Sequence, residues 1–141
     1  MIKVTCSSED LEWLARNIYF EARSENILGR MAVAFVTMNR ATHPRARWGK
    51  SITSVVTQRL QFSWYNNRVV PEIKNQNLYK EIKSLAKQCV EIYNNMSDAG
   101  YELDGIVQGA DHYYATWIAP PNWIASMKFV CQIGVHKFYK A

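Results

Sequence analysis

Met31-Ala32-Val33-Ala34-Phe35-Val36-Thr37-Met38, closed by Asn39-Arg40, is the most apolar stretch of the chain. A helix that is apolar nearly all round is buried on most sides. The run predicts a helix from about Ile27 to Arg40, ended by His43-Pro44, since the residue before a proline leaves the helical region. It falls short of the roughly 18 apolar residues that would suggest a membrane span, so it reads as the central helix of a core. Thr37 and Asn39 are its polar exceptions. Buried polar groups need partners, so each is either a structural hydrogen bond or part of a site.

Upstream, Ser7 or Ser8 is placed to cap a helix with Glu9, Asp10 and Glu12 in its positive first turn. Leu11, Leu14, Ala15, Ile18 and Ala22 then recur on one face. At helical spacing Glu21 lies roughly 75° from the middle of that face, at the rim of the core. Downstream come a basic loop to Lys50, a short helix over 51–59, and Gln61-Phe62-Ser63-Trp64-Tyr65-Asn66-Asn67, an aromatic loop without helical period. A long helix is expected over 75–95, with Leu78, Ile82, Leu85, Ala86, Cys89 and Ile92 on one face and Gly100 as its stop. His112–Thr116 and His136–Tyr139 have strand composition and suit a small antiparallel pair. The fold class is therefore α+β, mainly α, with a buried central helix and a minor antiparallel sheet.

The 141 residues fit one domain with no internal boundary. A composition 48% hydrophobic and 21% charged excludes disorder and fibrous classes. Met1-Ile2-Lys3-Val4-Thr5-Cys6 has no apolar h-region, so no signal peptide is expected and synthesis in the cytoplasm is. Cys6, Cys89 and Cys131 form no CxxC and read as reduced thiols. Net charge is +5, with no Asp or Glu between Asn26 and Pro71 and all eight arginines before residue 70. That asymmetry suits anionic envelope polymers, nucleic acid, or simply a solvated surface.

Glu21, set among Tyr19, Phe20 and Ala22, has surroundings that would raise its pKa. A carboxyl protonated near neutrality is what glycoside cleavage needs as its acid. Read alone, a glutamate on a helix flank is more often a surface residue or an ion-pair partner. Gln61, Ser63, Trp64, Tyr65 and Asn66 form one sugar-binding type of cluster, and Tyr113, Tyr114 and Trp117 a second. The same residues would also serve as core aromatics with a bonded polar end.

Five stretches carry a resemblance. Leu14-Ala15-Arg16-Asn17-Ile18-Tyr19-Phe20-Glu21-Ala22-Arg23-Ser24-Glu25 resembles the ARxIYxEARGE signature of spore-cortex-lytic-type cell wall hydrolases, and Met31–Arg40 their AVAxVxxNR helix. Gln61-Phe62-Ser63-Trp64, His112-Tyr113-Tyr114-Ala115 and Ile133–Tyr139 are similar to QFS plus an aromatic, HYHA and IGxHxFY, in the family's order. Ser24 stands for the family's glycine and Tyr114 for its second histidine.

The resemblance implies a small lysozyme-like fold and cleavage of the β-1,4 bond between N-acetylmuramic acid and N-acetylglucosamine in peptidoglycan. It makes Glu21 the general acid and needs no cofactor or metal. Thr37, Gln61, Ser63, Trp64, His112, Tyr113 and Tyr114 are the candidate substrate-binding residues. Glu25 and Asp111 are the candidate second carboxylates; without one, the muramyl 6-hydroxyl attacks and Glu21 serves as acid and then base, which is lytic transglycosylase chemistry. A monomeric catalytic domain over 1–141 without a wall-binding module is expected, closer to a phage endolysin released by a holin than to the spore enzymes. Two rivals are a zinc amidase using His43, His112 and His136 with Asp111, and a basic nucleic-acid-binding module. The histidines lack ligand spacing, and no nucleic-acid recognition motif is present, so no nucleic-acid partner is expected.

Overall fold

The computed structural model describes residues 3–58, 61–98, 107 and 109–141. Helices α1 (Ser8–Ala22), α2 (Ile27–Ala41), α3 (Ile52–Thr57) and α4 (Gln76–Asp98) precede strand β1 (His112–Ala115), and strands β2 (Lys128–Ile133) and β3 (His136–Lys140) close the chain. Helix α2 is the centre: it packs against α1, α3, α4 and β2. Ala32 through Met38 are all buried along it, as an all-apolar helix requires. None of the described helices is long and apolar enough to cross a membrane.

Helix α1 begins as the sequence predicts. Ser7 is its cap: the Ser7 hydroxyl accepts from Asp10 N, and the Asp10 carboxylate accepts from Ser7 N at 3.1 Å. The other Asp10 oxygen accepts from Thr53 N at 3.0 Å and Thr53 Oγ1 at 2.6 Å, which ties α1 to α3. Glu12 reaches α4, accepting from Tyr79 Oη and Lys83 Nζ, each at 2.5 Å. The corner between α1 and α2 turns through Arg23, whose backbone is still helical, and Asn26 caps α2. Ser24 therefore stands there without a left-handed backbone.

Helix α4 buries Tyr79, Ile82, Ala86, Cys89, Val90 and Tyr93. This corrects the expected stripe: Ile92 is exposed and Leu78 only half-buried. The two tyrosines take those places because their hydroxyls reach partners, Tyr79 on Glu12 and Tyr93 on Asn39 Oδ1 at 3.0 Å. Gly100, the expected stop, and Arg59 lie outside the described residues. The aromatic loop holds one 3-10 turn, Ser63–Tyr65.

The expected antiparallel pair forms as β1 and β3, with Tyr113 opposite Phe138. A third strand, β2, pairs with the other edge of β3, giving the order β1-β3-β2. Its alternation is broken by a bulge between Phe129 and Cys131; the extra residue shifts the inside–outside phase, so no clean period marks β2 in the sequence. No disulfide joins Cys6, Cys89 and Cys131.

Asp10 is the clearest electrostatic staple of this frame. Burial opposes its charge, but hydrogen bonds from Thr53 and Ser7 outweigh that and hold its pKa below the usual value. A depressed folded-state pKa gives stability that is present above the unfolded value of about 3.9 and lost as pH falls through the folded one. Asp10→Asn should lower unfolding free energy by about 1–3 kcal/mol at neutral pH. It should also flatten the acid limb of a stability–pH curve from urea titrations.

Candidate active site

The last turn of α1 delivers Phe20 and Glu21 to a cleft of about 470 Å³. Gln61, Ser63 and Asn66 line it from the aromatic loop. Tyr113, Tyr114 and Ala115 of β1 and His136 of β3 line it from the sheet. The rest of the wall is the connection between β1 and β2, with Trp117, Ile118, Pro121 and Trp123. Trp117 is 69% exposed at the rim, its ring 6.4 Å from that of His136.

Two hydrogen bonds join sheet to helices beside this cleft. Asn39 Nδ2 donates to Ala110 O at 2.9 Å and Arg40 Nε to Asp111 O at 2.7 Å. They fix the residues leading into β1, and so bring Tyr113 to Glu21. Tyr113 Oη donates to Glu21 Oε1 at 2.5 Å. Burial raises the pKa of Glu21, while the Tyr113 hydroxyl and the positive charge of Arg40 pull the other way. Burial beside that carboxylate pushes the Tyr113 hydroxyl well above its usual value, so it stays a donor. The result is a half-buried carboxyl, biased toward its protonated form and facing a polar and aromatic groove.

The remaining sequence candidates divide. Gln61, Ser63, Tyr113 and Tyr114 meet Glu21 in the cleft. Trp64 stands behind its wall, its ring 4.8 Å from that of Phe20. Thr37 is corrected as a substrate contact: it is 0% exposed, and its hydroxyl donates to Val33 O at 3.0 Å within α2. His112 also lies away from the lining. It is bonded to Asp111 at 2.8 Å and sits between the Trp48 and Trp123 rings.

Neither second-carboxylate candidate lines the cleft. Glu25 Oε1 accepts from Val135 N at 2.9 Å and lies 3.4 Å from His136 Nδ1. It fastens the β2–β3 turn, where Gly134 has φ +56° and a Cβ would sit 2.7 Å from that carboxylate. Asp111 accepts from His112 Nδ1 and from Ala141 N at 3.0 Å. Burial opposes its charge, yet these bonds hold its pKa down. His43, His112 and His136 each face a different partner: Arg45 N, Asp111 and Glu25. Among the described residues no group of three or more potential ligands is gathered for a metal ion.

Phe20, Ile118, Pro121 and Trp123 were not singled out as site residues by the sequence. Two tryptophans flanking Pro120-Pro121 are the signal that could have found the last of these, since a proline pair keeps the segment out of regular structure and at the surface.

The cleft thus opens between a mainly helical body and a small three-stranded sheet. The family model for cell wall hydrolases matches residues 24–139, starting just after Glu21. The chain belongs to the cell wall hydrolase family. It is 26% identical over 133 residues to a spore cortex-lytic enzyme of Halalkalibacterium halodurans, covering 94% of this chain and 35% of that protein. It is 26% identical over 135 residues to one of Bacillus cereus, covering 95% and 45%. The chain thus spans less than half the length of these curated relatives.

Among solved structures, it is similar to the catalytic domain of a germination-specific lytic transglycosylase, SleB, from Bacillus anthracis, with TM-score 0.73 at 22% identity over 99% of this chain and 100% of that one. The catalytic domain of the Bacillus cereus SleB protein gives TM-score 0.71 at 22% identity, over 96% and 93%. The small lysozyme-like α+β fold expected from the sequence is therefore the fold observed.

Two outcomes follow for the carboxylates. Tyr113→Phe removes a donor that favours charged Glu21, so the Glu21 pKa should rise further and the alkaline limb of the pH–activity profile should move to higher pH. Glu25→Gln should lower stability by about 1 kcal/mol, read by thermal melting, while keeping most of the activity per folded molecule.

Proposed function

We propose that this protein cuts peptidoglycan glycan strands at the β-1,4 bond between N-acetylmuramic acid and N-acetylglucosamine as a lytic transglycosylase. Glu21 is the acid and then the base. The observation that carries this reading is that, among the described residues lining the cleft, Glu21 is the one carboxylate. Hydrolysis of a glycoside by carboxylates calls for two, one as acid and one as base or nucleophile. Here Glu25 and Asp111 are committed to the β2–β3 turn and to the chain end.

The chemistry balances on one group. Protonated Glu21 gives its proton to the glycosidic oxygen, which departs as the 4-hydroxyl of N-acetylglucosamine. The muramyl 6-hydroxyl oxygen bonds to C1 and loses its proton to the Glu21 carboxylate. The product carries a 1,6-anhydro ring, Glu21 is protonated again, and no water is consumed. Family membership and the similarity to a lytic transglycosylase domain support peptidoglycan as the substrate. The amides of Gln61 and Asn66 and the rings of Tyr114, Trp117 and Trp123 suit sugar hydroxyls and faces. Exposed Arg45, Arg47 and Lys50, in the acid-free stretch, suit the anionic polymers of a bacterial envelope.

Purified peptidoglycan incubated with wild type and Glu21→Gln tests the reading. The wild type should release soluble glycan fragments. The variant should lose about 10²–10⁴-fold in rate while melting no lower, because burial disfavours the charge it removes. Release of fragments by Glu21→Gln at near wild-type rate would overturn it.

A further inference from the structure

We propose that Asn17 is a positioning residue, whose buried amide pins Trp64 and so sets the loop of Gln61, Ser63 and Asn66 against Glu21. Asn17 lies mid-way along α1 and is 0% exposed, where an unbonded amide would be costly. Its Oδ1 accepts from Trp64 Nε1 at 2.8 Å and its Nδ2 donates to Thr37 Oγ1 at 3.3 Å. Thr37 in turn donates to Val33 O at 3.0 Å. The donors run one way, from Trp64 through Asn17 and Thr37 to Val33. Flipping the amide would face its NH2 with an indole that can only donate, so the Trp64 indole fixes the orientation of Asn17.

The loop needs such a pin. Its own backbone bonds are local, Tyr65 N to Phe62 O and Asn66 N to Ser63 O. Phe62 is buried under Arg40 and anchors the loop's start. Beyond it, Trp64 packs on Phe20 at 4.8 Å and on Trp13 at 6.4 Å between ring centroids. Ring contacts tolerate sliding; a hydrogen bond from the indole to a fixed acceptor does not. Ser63 just before Trp64 and Asn66 two residues after it line the cleft, and so does Phe20, next to Glu21. Asn17 thus sets the height of one wall from behind it, without touching substrate.

The inference rests on the glycan reading of the cleft for its kinetic test alone. Asn17→Leu, Trp64→Phe and the double variant are compared with wild type on purified glycan strands. Each single variant should raise KM about tenfold with kcat within about twofold, the signature of lost positioning for binding. The double variant should do no worse than either single, because both remove one interaction. It should also recover melting temperature, since neither partner is left unbonded.

An unchanged KM in the folded variants would overturn the proposal, as would a fall in kcat at constant KM or fully additive effects. Hydrogen exchange of the Trp64 indole N–H, identified in NMR spectra by its loss in Trp64→Phe, decides the pin independently of substrate. Protection in the wild type and its loss in Asn17→Leu support it, and retained protection in Asn17→Leu overturns it. If wild type leaves glycan strands uncut, the glycan reading fails and the indole measurement alone decides the pin.

Discussion

The polar end of α2 bonds to two carbonyl groups just ahead of β1, and the rest of the site depends on that junction. Asn39 and Arg40 close a helix that is otherwise all core, and they hold Ala110 and Asp111 from seventy-one residues away in sequence. Arg40 is buried between the rings of Trp48 and Phe62. A guanidinium cannot shed its proton to escape burial, so it must find acceptors and counter-charges. The Asp111 carbonyl accepts from its Nε, and the Asp111 carboxylate supplies counter-charge. The need to satisfy one buried cation thus fixes where the sheet meets the helices.

From that junction the state of Glu21 follows. Burial raises its pKa, and a raised pKa is useful to an acid that must hold its proton near neutrality. In the proposed reaction the same carboxyl must also exist as a carboxylate part-way through a transfer that uses no second group. Tyr113 and Arg40 both favour that charged form. The site is therefore a balance: enough desolvation to load the proton, enough donor strength to tolerate its loss. The unequal fates of the other two carboxylates reinforce it. Glu25 and Asp111 are spent holding the β2–β3 turn and the chain end, which leaves the cleft to one acid.

Much of this was legible in the chain. The all-apolar run made α2 the centre, and the Ser7 cap with its apolar face placed Glu21 on the rim of the core. What escaped has physical causes. The bulge in β2 broke the alternation that marks a strand. The stripe of α4 moved because tyrosines with reachable acceptors took the buried places and left Ile92 exposed. Thr37 looked like a site residue because a buried hydroxyl announces only that it has a partner, not which one. Glu25, one turn beyond Glu21, and Asp111, just ahead of His112-Tyr113-Tyr114, were candidates by position alone. Their partners, Val135 N and Ala141 N, arrive from 110 and 30 residues away, and no local spacing encodes that.

The central claim is that one carboxylate serves both halves of the reaction and that water is no reactant. Digestion of purified peptidoglycan in water enriched with heavy oxygen, followed by mass spectrometry of the released muropeptides, tests it most directly. The account predicts anhydromuramyl ends, lighter than hydrolytic ends by one water and free of the heavy isotope. Reducing muramic acid ends carrying heavy oxygen would contradict it and return the search to a second carboxylate.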